Sequence, residues 1–249
     1  MNEFFLKYKE LAQNSQRVTG VPASVTLAQA YLESGAGKSS LTVQDNNFFG
    51  IKAGSKWIGK KSLWATWEYI PYSKKTYYTN YFNTEGRQII SISPYSSDKE
   101  KWRVKDYFRK YDSAEDSFTD HAQIYSVKKA KEIVSKIGDN LDYKLWATAL
   151  KQAGYATDIN YHNKIINLIE QNNLSALDSE AAKKKLTNAT YFFLVTLILT
   201  VLLVYLFKTE WLNDYKNYFF IFIFSTFTGV IFYLAYLQFI DTFYYIQSE

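Results

Sequence analysis

Two glutamates, Glu33 and Glu68, are the residues of this 249-residue chain whose surroundings best suit acid–base chemistry. Glu33 lies near the end of an apolar run over residues 21–39, VPASVTLAQAYLESGAGKS. A carboxylate in the last turn of a helix meets the negative end of the helix dipole, and partial burial removes water from it. Both effects favour the protonated form, which a general acid needs at neutral pH. The simpler interpretation from position alone is a surface carboxylate near a helix end.

Glu68 lies between Trp67 and Tyr69 in a region where aromatic, β-branched and polar residues alternate (residues 57–83, including WIGKKSLWATWEYI and YYTNYF). This alternation predicts short strands around turns, and therefore a small β-lobe on a helical body. Exposed Trp67 and Tyr69 are candidate platforms on which a sugar ring can stack. Glu68 is either an exposed strand glutamate or the second carboxylate of a glycosidase.

The element that must position Glu33 is a helix beginning at Pro22, whose fixed φ and missing N–H suit a first helical turn. Val25, Ala28 and Leu32 recur at the spacing of an apolar helical stripe that packs on a core. Glycines at 35 and 37 are typical of a helix end. Glu33 is therefore expected one step around from the buried stripe.

The remaining segments predict a mainly helical domain. Asn2 can cap a first helix, and DNNFFGIKA (residues 45–53) predicts a structured turn anchored by its apolar residues. Asp112 or Ser113 can cap a later helix, with Asp116 as its capping-box partner. We also expect a polar extension of the lobe over 85–104, helices over 143–152 and 162–171, and a polar linker over 173–185.

Composition narrows the chemistry. The chain has no cysteine, so disulfides and thiolate metal sites are excluded, and His121 and His162 lie too far apart for a local metal motif. We expect no metal and no cofactor. The net charge of +5 is uneven: from residue 186 onward two lysines face four carboxylates, so residues 1–185 carry +7. A basic domain suits an acidic polymer, but no phosphate loop or nucleic-acid motif is present, so we expect no nucleic-acid partner.

The C-terminal segment predicts a membrane anchor. Residues 186–207 and 217–240 contain no charged residue, and each is long enough to span a bilayer as a helix, so they predict a transmembrane hairpin. The alternative is a buried hydrophobic helical pair. Lysines 183–185 precede the first span, which predicts that the N-terminal domain lies on the cytoplasmic face. No basic segment followed by an apolar one begins the sequence, so we expect no cleavable signal peptide.

Five blocks, LAQAYLESGAGKS, NNFFGIKA, TWEYI, FRKYDSAEDS and AGYATDINY, follow one another over about residues 18–172. In this order they resemble the bacterial N-acetylglucosaminidases of glycoside hydrolase family 73. The resemblance implies a lysozyme-like fold, in which a helical body and a small β-lobe face each other across a cleft. It also implies peptidoglycan as substrate and cleavage of the β-1,4 bond that follows N-acetylglucosamine.

Carried over block by block, the resemblance assigns roles to individual residues. Glu33 matches the catalytic acid, and Glu68 matches a β-lobe carboxylate proposed as the second catalytic group, with assistance by the substrate's acetamido group as the rival account. The other substrate-binding residues implied are Asn47 and Phe48 in the turn opposite, and Tyr155 and Tyr161 in the cleft, with Tyr161 orienting the sugar.

This chain departs from the family at three places. Ala36 stands where an aromatic residue is usual, Ile159 replaces a proline, and residues 71–104 form a longer segment than is usual. The first change predicts a weaker sugar-stacking contact, and the third leaves the edge of the lobe and the reach of Glu68 open.

The sequence therefore predicts an α+β fold: a mainly helical lysozyme-like domain with a small antiparallel β-lobe (1–172), a linker (173–185) and a transmembrane hairpin (186–249). The predicted function is a membrane-anchored peptidoglycan hydrolase, a phage-type enzyme used for host lysis or entry and located in the host inner membrane or a virion membrane. Alternatives are a muramidase or lytic transglycosylase on the same fold, a non-catalytic wall-binding membrane protein, and a cellular envelope-remodelling enzyme.

Overall fold

The computed structural model of the chain describes residues 2–84, 86–137, 141–156 and 158–183, together with 187, 190–191, 194–195 and 198–199. Most of the predicted hairpin over 186–249 lies outside these residues. Within the described part, no helix is both long enough and apolar enough to cross a bilayer.

The described part of the chain forms eight helices and three strands, which confirms a mainly helical domain with a small antiparallel sheet. In chain order the elements are α1 (Glu3–Thr19), α2 (Ala23–Glu33), α3 (Ser40–Asp45), β1 (Lys61–Pro71), a 3-10 turn (Tyr72–Lys74), α4 (Lys75–Phe82), β2 (Gln88–Pro94), β3 (Lys99–Arg109), α5 (Ala114–His121), α6 (Tyr125–Ile137), α7 (Tyr143–Gln152) and α8 (Tyr161–Asn172). Asn2 caps α1 and Ser113 caps α5 in a capping box with Asp116, as the sequence predicted.

Helix α2 is the central element of the helical body, packed against α1, α7 and α8. The sequence predicted an apolar stripe on one side, but every residue from Ala23 to Ala30 is buried, while Leu32 is only partly covered. Small residues such as Ala28 and Ala30 allow neighbouring helices to approach on all sides. Pro22 stands one position earlier than predicted, at the N-cap, with extended backbone. This burial fixes the direction in which the helix end points.

The chain reverses sharply after α2, and this turn leaves Glu33 as the last helical residue. Gly35, Ala36 and Gly37 all adopt positive φ, of 58°, 58° and 79°. A side chain at Gly37 would also meet the Phe4 ring, since a Cβ there would lie 3.2 Å from it. Ser34 closes the turn, because its hydroxyl donates to the Ala30 carbonyl at 2.5 Å and accepts from the Gly37 amide at 2.7 Å. The glycine stop predicted from sequence is therefore confirmed.

The β-lobe is a three-stranded antiparallel sheet with strand order β1-β3-β2. Its inner face packs on α4 through a small core of four buried residues: Ile70, Phe82, Trp102 and Val104. The prediction of strands through residue 83 was wrong for its last part, because YYTNYF lies in α4. Tyr78 and Phe82, four residues apart and stacked at 6.1 Å, share the helical face turned toward this core. Packing against the sheet thus overrides the aromatic residues' preference for strands.

The segment predicted as a linker over 173–185 is partly integrated into the domain. Leu174, Leu177 and Ala181 are buried, and the first two belong to the main core. The side chain of buried Asp178 accepts hydrogen bonds from the Ser24 amide at 2.8 Å and the Ser24 hydroxyl at 2.6 Å, at the first turn of α2. The packed residues therefore continue past the predicted boundary at 172, to at least residue 181, and the division of the chain stays a prediction.

Candidate active site

A cleft of about 680 Å³ separates the helical body from the β-lobe, and both predicted carboxylates line it. The helical body contributes Leu32 and Glu33 from the end of α2, and Tyr161 from α8. The lobe side contributes Glu68 from β1 and the loop at residues 49–51. Glu33, Glu68 and Tyr161, which are each 35 or more positions apart in sequence, are thus brought to one open site.

Glu33 is held by a hydrogen-bonded pair of side chains from α2 and α8. The Tyr161 hydroxyl donates to Glu33 Oε1 at 3.0 Å, and the Gln29 side-chain amide donates to the Tyr161 oxygen at 3.3 Å. Gln29 lies one turn before Glu33 on the same helix and is fully buried. Because Gln29 and the buried end of Tyr161 belong to the core, the Glu33 carboxyl is fixed by a rigid support.

The environment of Glu33 favours its protonated form. Although the residue presents surface to the open cleft, the cleft walls displace water around its carboxyl, and this loss of hydration raises its pKa. The hydrogen bond from Tyr161 acts in the opposite direction and lowers the pKa by a smaller amount. The balance is the one a general acid requires, with the carboxyl protonated above the usual range of a glutamate.

A stack of rings supports Tyr161 from behind. Tyr155 stacks on Tyr161 with ring centroids 5.6 Å apart, and its hydroxyl is 3.1 Å from His121 Nε2. His121 in turn stacks on Phe49 at 3.9 Å. Complete burial lowers the pKa of His121 to about 3, so this ring is neutral and serves as a structural group. The stack links α8, α5 and the loop at residues 49–51 across the base of the cleft.

Glu68 lies in a charged network inside the lobe. Lys52 Nζ contacts Glu68 Oε1 at 2.6 Å and Asp106 Oδ2 at 3.2 Å, while Arg87 Nε contacts Asp106 Oδ1 at 2.9 Å. Loss of hydration alone would lower the pKa of Lys52, but the charges of Glu68 and Asp106 raise it above its usual value. Lys52 therefore remains a cation and holds Glu68 as its carboxylate partner at the cleft surface.

Asn47 and Phe48, predicted to contact substrate, are instead buried beneath the loop, with 1% and 2% of their surface exposed. The Asn47 amide group donates to the carbonyls of Ile51 and Arg109 at 2.9 and 2.8 Å, and its oxygen accepts from the Ile51 amide at 2.9 Å. Phe48 packs in the main core beside Tyr8. We therefore reassign both from substrate contact to support of the cleft loop at residues 49–51.

Trp67 and Tyr69 are exposed, but the structure does not bring them to the cleft with Glu68. Successive residues of a strand point to opposite faces, and Glu68 pairs with Trp102 on the inner face of the sheet. Trp67 and Tyr69, with 46% and 44% of their surface exposed, therefore lie on the outer face. The structure therefore does not bring these two rings together with Glu68, and their stacking on a sugar stays a prediction.

Several residues in or beside the cleft were not predicted as site residues. Gln29 and Lys52 act through hydrogen bonds and charge on Glu33 and Glu68, and an ion pair joins Lys164 Nζ to Asp158 Oδ2 at 2.6 Å on the cleft wall. Lys52 and Asp158 lie within the blocks NNFFGIKA and AGYATDINY, so position in those blocks was the available signal. In the described part of the chain, no group of three or more metal-binding side chains is close enough to hold a metal ion.

The order of these elements and the carboxylates at the cleft define a glycoside hydrolase domain. Residues 9–174 match the Glucosaminidase family, described as mannosyl-glycoprotein endo-beta-N-acetylglucosaminidase. The chain belongs to this glucosaminidase family, glycoside hydrolase family 73, as the sequence blocks predicted.

Several known proteins are similar to this chain. The exo-glucosaminidase LytG of Bacillus subtilis is 32% identical over 161 residues, which is 62% of this chain and 45% of LytG. The peptidoglycan hydrolase FlgJ of Salmonella typhimurium is 27% identical over 195 residues, 77% of this chain and 52% of FlgJ. A crystal structure of a peptidoglycan hydrolase mutant from Sphingomonas sp. A1 is 31% identical, with a TM-score of 0.49 over 70% of this chain and 96% of that one. The chain spans about half, or less, of the length of these two curated relatives.

Proposed function

We propose that this chain is a peptidoglycan hydrolase that cleaves, as an endo-β-N-acetylglucosaminidase, the β-1,4 bond following N-acetylglucosamine. One observation carries the proposal: a carboxyl with a raised pKa and a lysine-paired carboxylate line the same open cleft, one on the helical body and one on the β-lobe. Glycoside hydrolysis needs an acid for the leaving oxygen and a negative or nucleophilic group for the sugar. Membership of the glucosaminidase family and relatives named as peptidoglycan hydrolases support the choice of substrate.

In this mechanism Glu33 donates its proton to the glycosidic oxygen as the bond from that oxygen to the sugar C1 breaks. The Tyr161 hydroxyl occupies Glu33 Oε1, which leaves Oε2 to carry the proton toward the cleft. Positive charge develops on the sugar ring, and either Glu68 or the acetamido oxygen of the substrate stabilises it. Water then completes the hydrolysis, and Glu33 accepts the proton that water releases.

The decisive experiment is Glu33→Gln, which keeps the size of the side chain and removes the acid. We expect reducing-end release from purified peptidoglycan to fall by about 10²–10⁴-fold, the usual contribution of a general acid. Glu10→Gln, at an exposed position of α1 outside the cleft, is the matched control and should keep full activity. Undiminished activity of Glu33→Gln with an unchanged melting temperature would exclude the acid role.

Two further measurements separate the remaining alternatives. Glu68→Gln should reduce activity as strongly as Glu33→Gln if Glu68 meets the sugar charge, and much less if the acetamido group does so. Mass analysis of the products distinguishes N-acetylglucosamine reducing ends from muramic acid ends of a muramidase and anhydro ends of a lytic transglycosylase. Binding to the wall without any turnover by the unmodified chain would favour a non-catalytic wall-binding protein.

We also propose that the domain is anchored to a membrane by a hairpin formed from residues 186–207 and 217–240. The support is the absence of charged residues from both segments and their length. Lysines 183–185 favour a cytoplasmic domain, on the side of the membrane opposite the wall. Protease access to tags at both chain ends in intact membranes tests this topology, and cleavage of the domain from outside would contradict it.

A hydrolase separated from its wall by a membrane suits an enzyme that acts only after the membrane is breached. We therefore propose a phage-type role, in host lysis or, from a virion membrane, in entry. Detection of the protein in purified virus particles would support entry. Its presence in growing, uninfected cells at division sites would favour a cellular envelope-remodelling enzyme instead.

A further inference from the structure

The charged side chains of the three β-lobe strands are divided by sign between the two faces of the sheet. All three carboxylates in the strands, Glu68, Glu100 and Asp106, lie on the inner face, because they pair with or alternate with buried inner residues. All six strand cations lie on the opposite, outer face: Lys61, Lys99, Lys101, Arg103, Lys105 and Arg109. The inner cleft face and the outer face therefore differ in charge although they belong to the same three strands.

Most of the outer cations have no carboxylate partner. Arg109 forms an ion pair with Asp120, but within the described residues none of Lys61, Lys101, Arg103 and Lys105 forms one. Surface lysines and arginines usually form such pairs when carboxylates lie nearby, but all the carboxylates of these three strands lie on the inner face. The outer face thus presents positive charge that an external anion can neutralise.

Aromatic rings lie among these cations. Lys101 Nζ and the Arg103 guanidinium lie 4.5 and 5.1 Å from the ring centre of Trp67, and Tyr69 packs against Tyr95 at 4.4 Å. Trp67, Tyr69 and Tyr95 keep about half of their surface exposed. Exposed rings beside cations suit a ligand that offers both flat apolar surfaces and negative charge.

The composition of the face distinguishes between kinds of ligand. Its side chains are mainly cations, aromatic rings and polar groups, because Ile70, Ile89 and Ile92 belong to the inner side. The exposed aliphatic residues include Leu63 on β1 and Ile90, which lies at the irregularity of β2 between Ile89 and Ser91. A surface that inserts into lipid would carry mainly protruding apolar residues, whereas cations are the most numerous side chains of this one. Sugar rings can stack on the aromatics, and carboxylates can pair with the cations.

We propose that the outer face of the β-lobe, centred on Trp67, Tyr69, Lys101, Arg103 and Lys105, binds a second, uncut peptidoglycan strand. Its sugar rings stack on the two aromatic residues, and the carboxylates of its peptides pair with the three cations. The proposal rests on the proposed function, because it assigns the same polymer to a second face. Since Trp67 and Glu68 are adjacent on β1 and point in opposite directions, the lobe lies between the strand being cut and its neighbour.

The test measures binding in the absence of cleavage. The full chain with Glu33→Gln is sedimented with insoluble peptidoglycan from which phosphate polymers have been extracted, over a series of salt concentrations. Added Trp67→Ala, and separately Lys101→Ser with Arg103→Ser, should each weaken binding by about tenfold, and the double variant should also reduce its salt dependence. Lys128→Ser with Lys129→Ser, at two exposed lysines of α6, removes the same charge elsewhere and should leave binding unchanged.

Each other outcome overturns the proposal. Equal binding of both outer-face variants and the control means that this face does not contact the wall. If the chain binds only peptidoglycan that retains its phosphate polymers, the face binds those polymers instead. If the outer-face variants lose binding to anionic phospholipid vesicles but keep binding to peptidoglycan, the face binds lipid instead. Reducing-end release by the unmodified chain is scored in parallel, so that failure of the proposed activity is recognised separately from failure of this second face. Melting temperatures of all variants confirm that they are folded.

Discussion

Tyr161→Phe is the sharpest test of how the cleft prepares Glu33. The substitution removes one hydroxyl, which donates to Glu33 Oε1 at 3.0 Å and accepts from Gln29 at 3.3 Å. Glu33 becomes charged as it gives up its proton in the transition state. A hydrogen bond to a charged group contributes about 1.5–3 kcal/mol, and the open cleft around Glu33 places this one at the lower end. A loss of about 1.4 kcal/mol corresponds to about tenfold in rate, so we expect about a tenfold decrease in kcat.

The same change should alter the pH dependence in a defined direction. The Tyr161 hydrogen bond lowers the pKa of Glu33 against the larger effect of lost hydration, so its removal raises that pKa further. Activity declines on the alkaline side as Glu33 loses its proton. The alkaline limb of the pH–rate profile should therefore move to higher pH in Tyr161→Phe, while the rate at the optimum falls.

The assay is initial-rate release of reducing ends from purified peptidoglycan across the acidic to mildly alkaline range. Tyr143→Phe is the control, because it removes a phenol oxygen that donates to Glu170, outside the cleft, rather than to Glu33. Its alkaline limb should coincide with that of the unmodified chain. A limb displaced to lower pH in Tyr161→Phe, or an unaltered profile with an unaltered rate, would refute the assignment of Tyr161 as the partner of Glu33.

Two other predictions concern charged groups. Lys52→Met removes the cation between Glu68 and fully buried Asp106. We expect the free energy of unfolding, measured in urea, to fall by about 1–3 kcal/mol, a figure discounted for the partial exposure of Lys52, and we expect lower activity. Additive losses of activity when Lys52→Met is combined with Glu68→Gln would contradict the coupling of these two residues. Burial raises the pKa of Asp178 to about 7 from 3.8, so the folded chain binds more protons than the unfolded chain in this window and its stability falls as pH rises through it. Asp178→Asn should therefore gain stability relative to the unmodified chain as pH rises from 4 to 7, by up to about 4 kcal/mol, and a difference independent of pH would argue against this.

The sequence predicted helix α2 well because its signals are local. Pro22, the run of small apolar residues and the glycines at 35 and 37 each act within a few residues, and together they place Glu33 at the end of α2. The caps at Asn2 and Ser113 and the bounds of α7 were predictable for the same reason. Helix α4 was not, since only the sheet against which Tyr78 and Phe82 pack makes that segment helical.

The supporting groups of the site depend on distant pairings. Lys52 reaches Asp106 because residue 52 forms an isolated bridge with Phe108 on β3, and Asn47 is turned inward by the carbonyl of Arg109. These partners are more than 50 residues away in sequence, and no local pattern indicates them. The orientation of Trp67 and Tyr69 was available from the two-residue period of a strand, which sets both opposite to Glu68.

The bonds between Asp178 and Ser24 have a practical consequence for dissecting the protein. A fragment that stops at residue 172 would lack Leu174, Leu177 and Ala181, and it would leave the first turn of α2 without the Asp178 side chain that accepts from Ser24. Such a fragment would lose activity through a loosened α2 even with every cleft residue present. A shortened enzyme meant to report on the chemistry of Glu33 must therefore extend past residue 181.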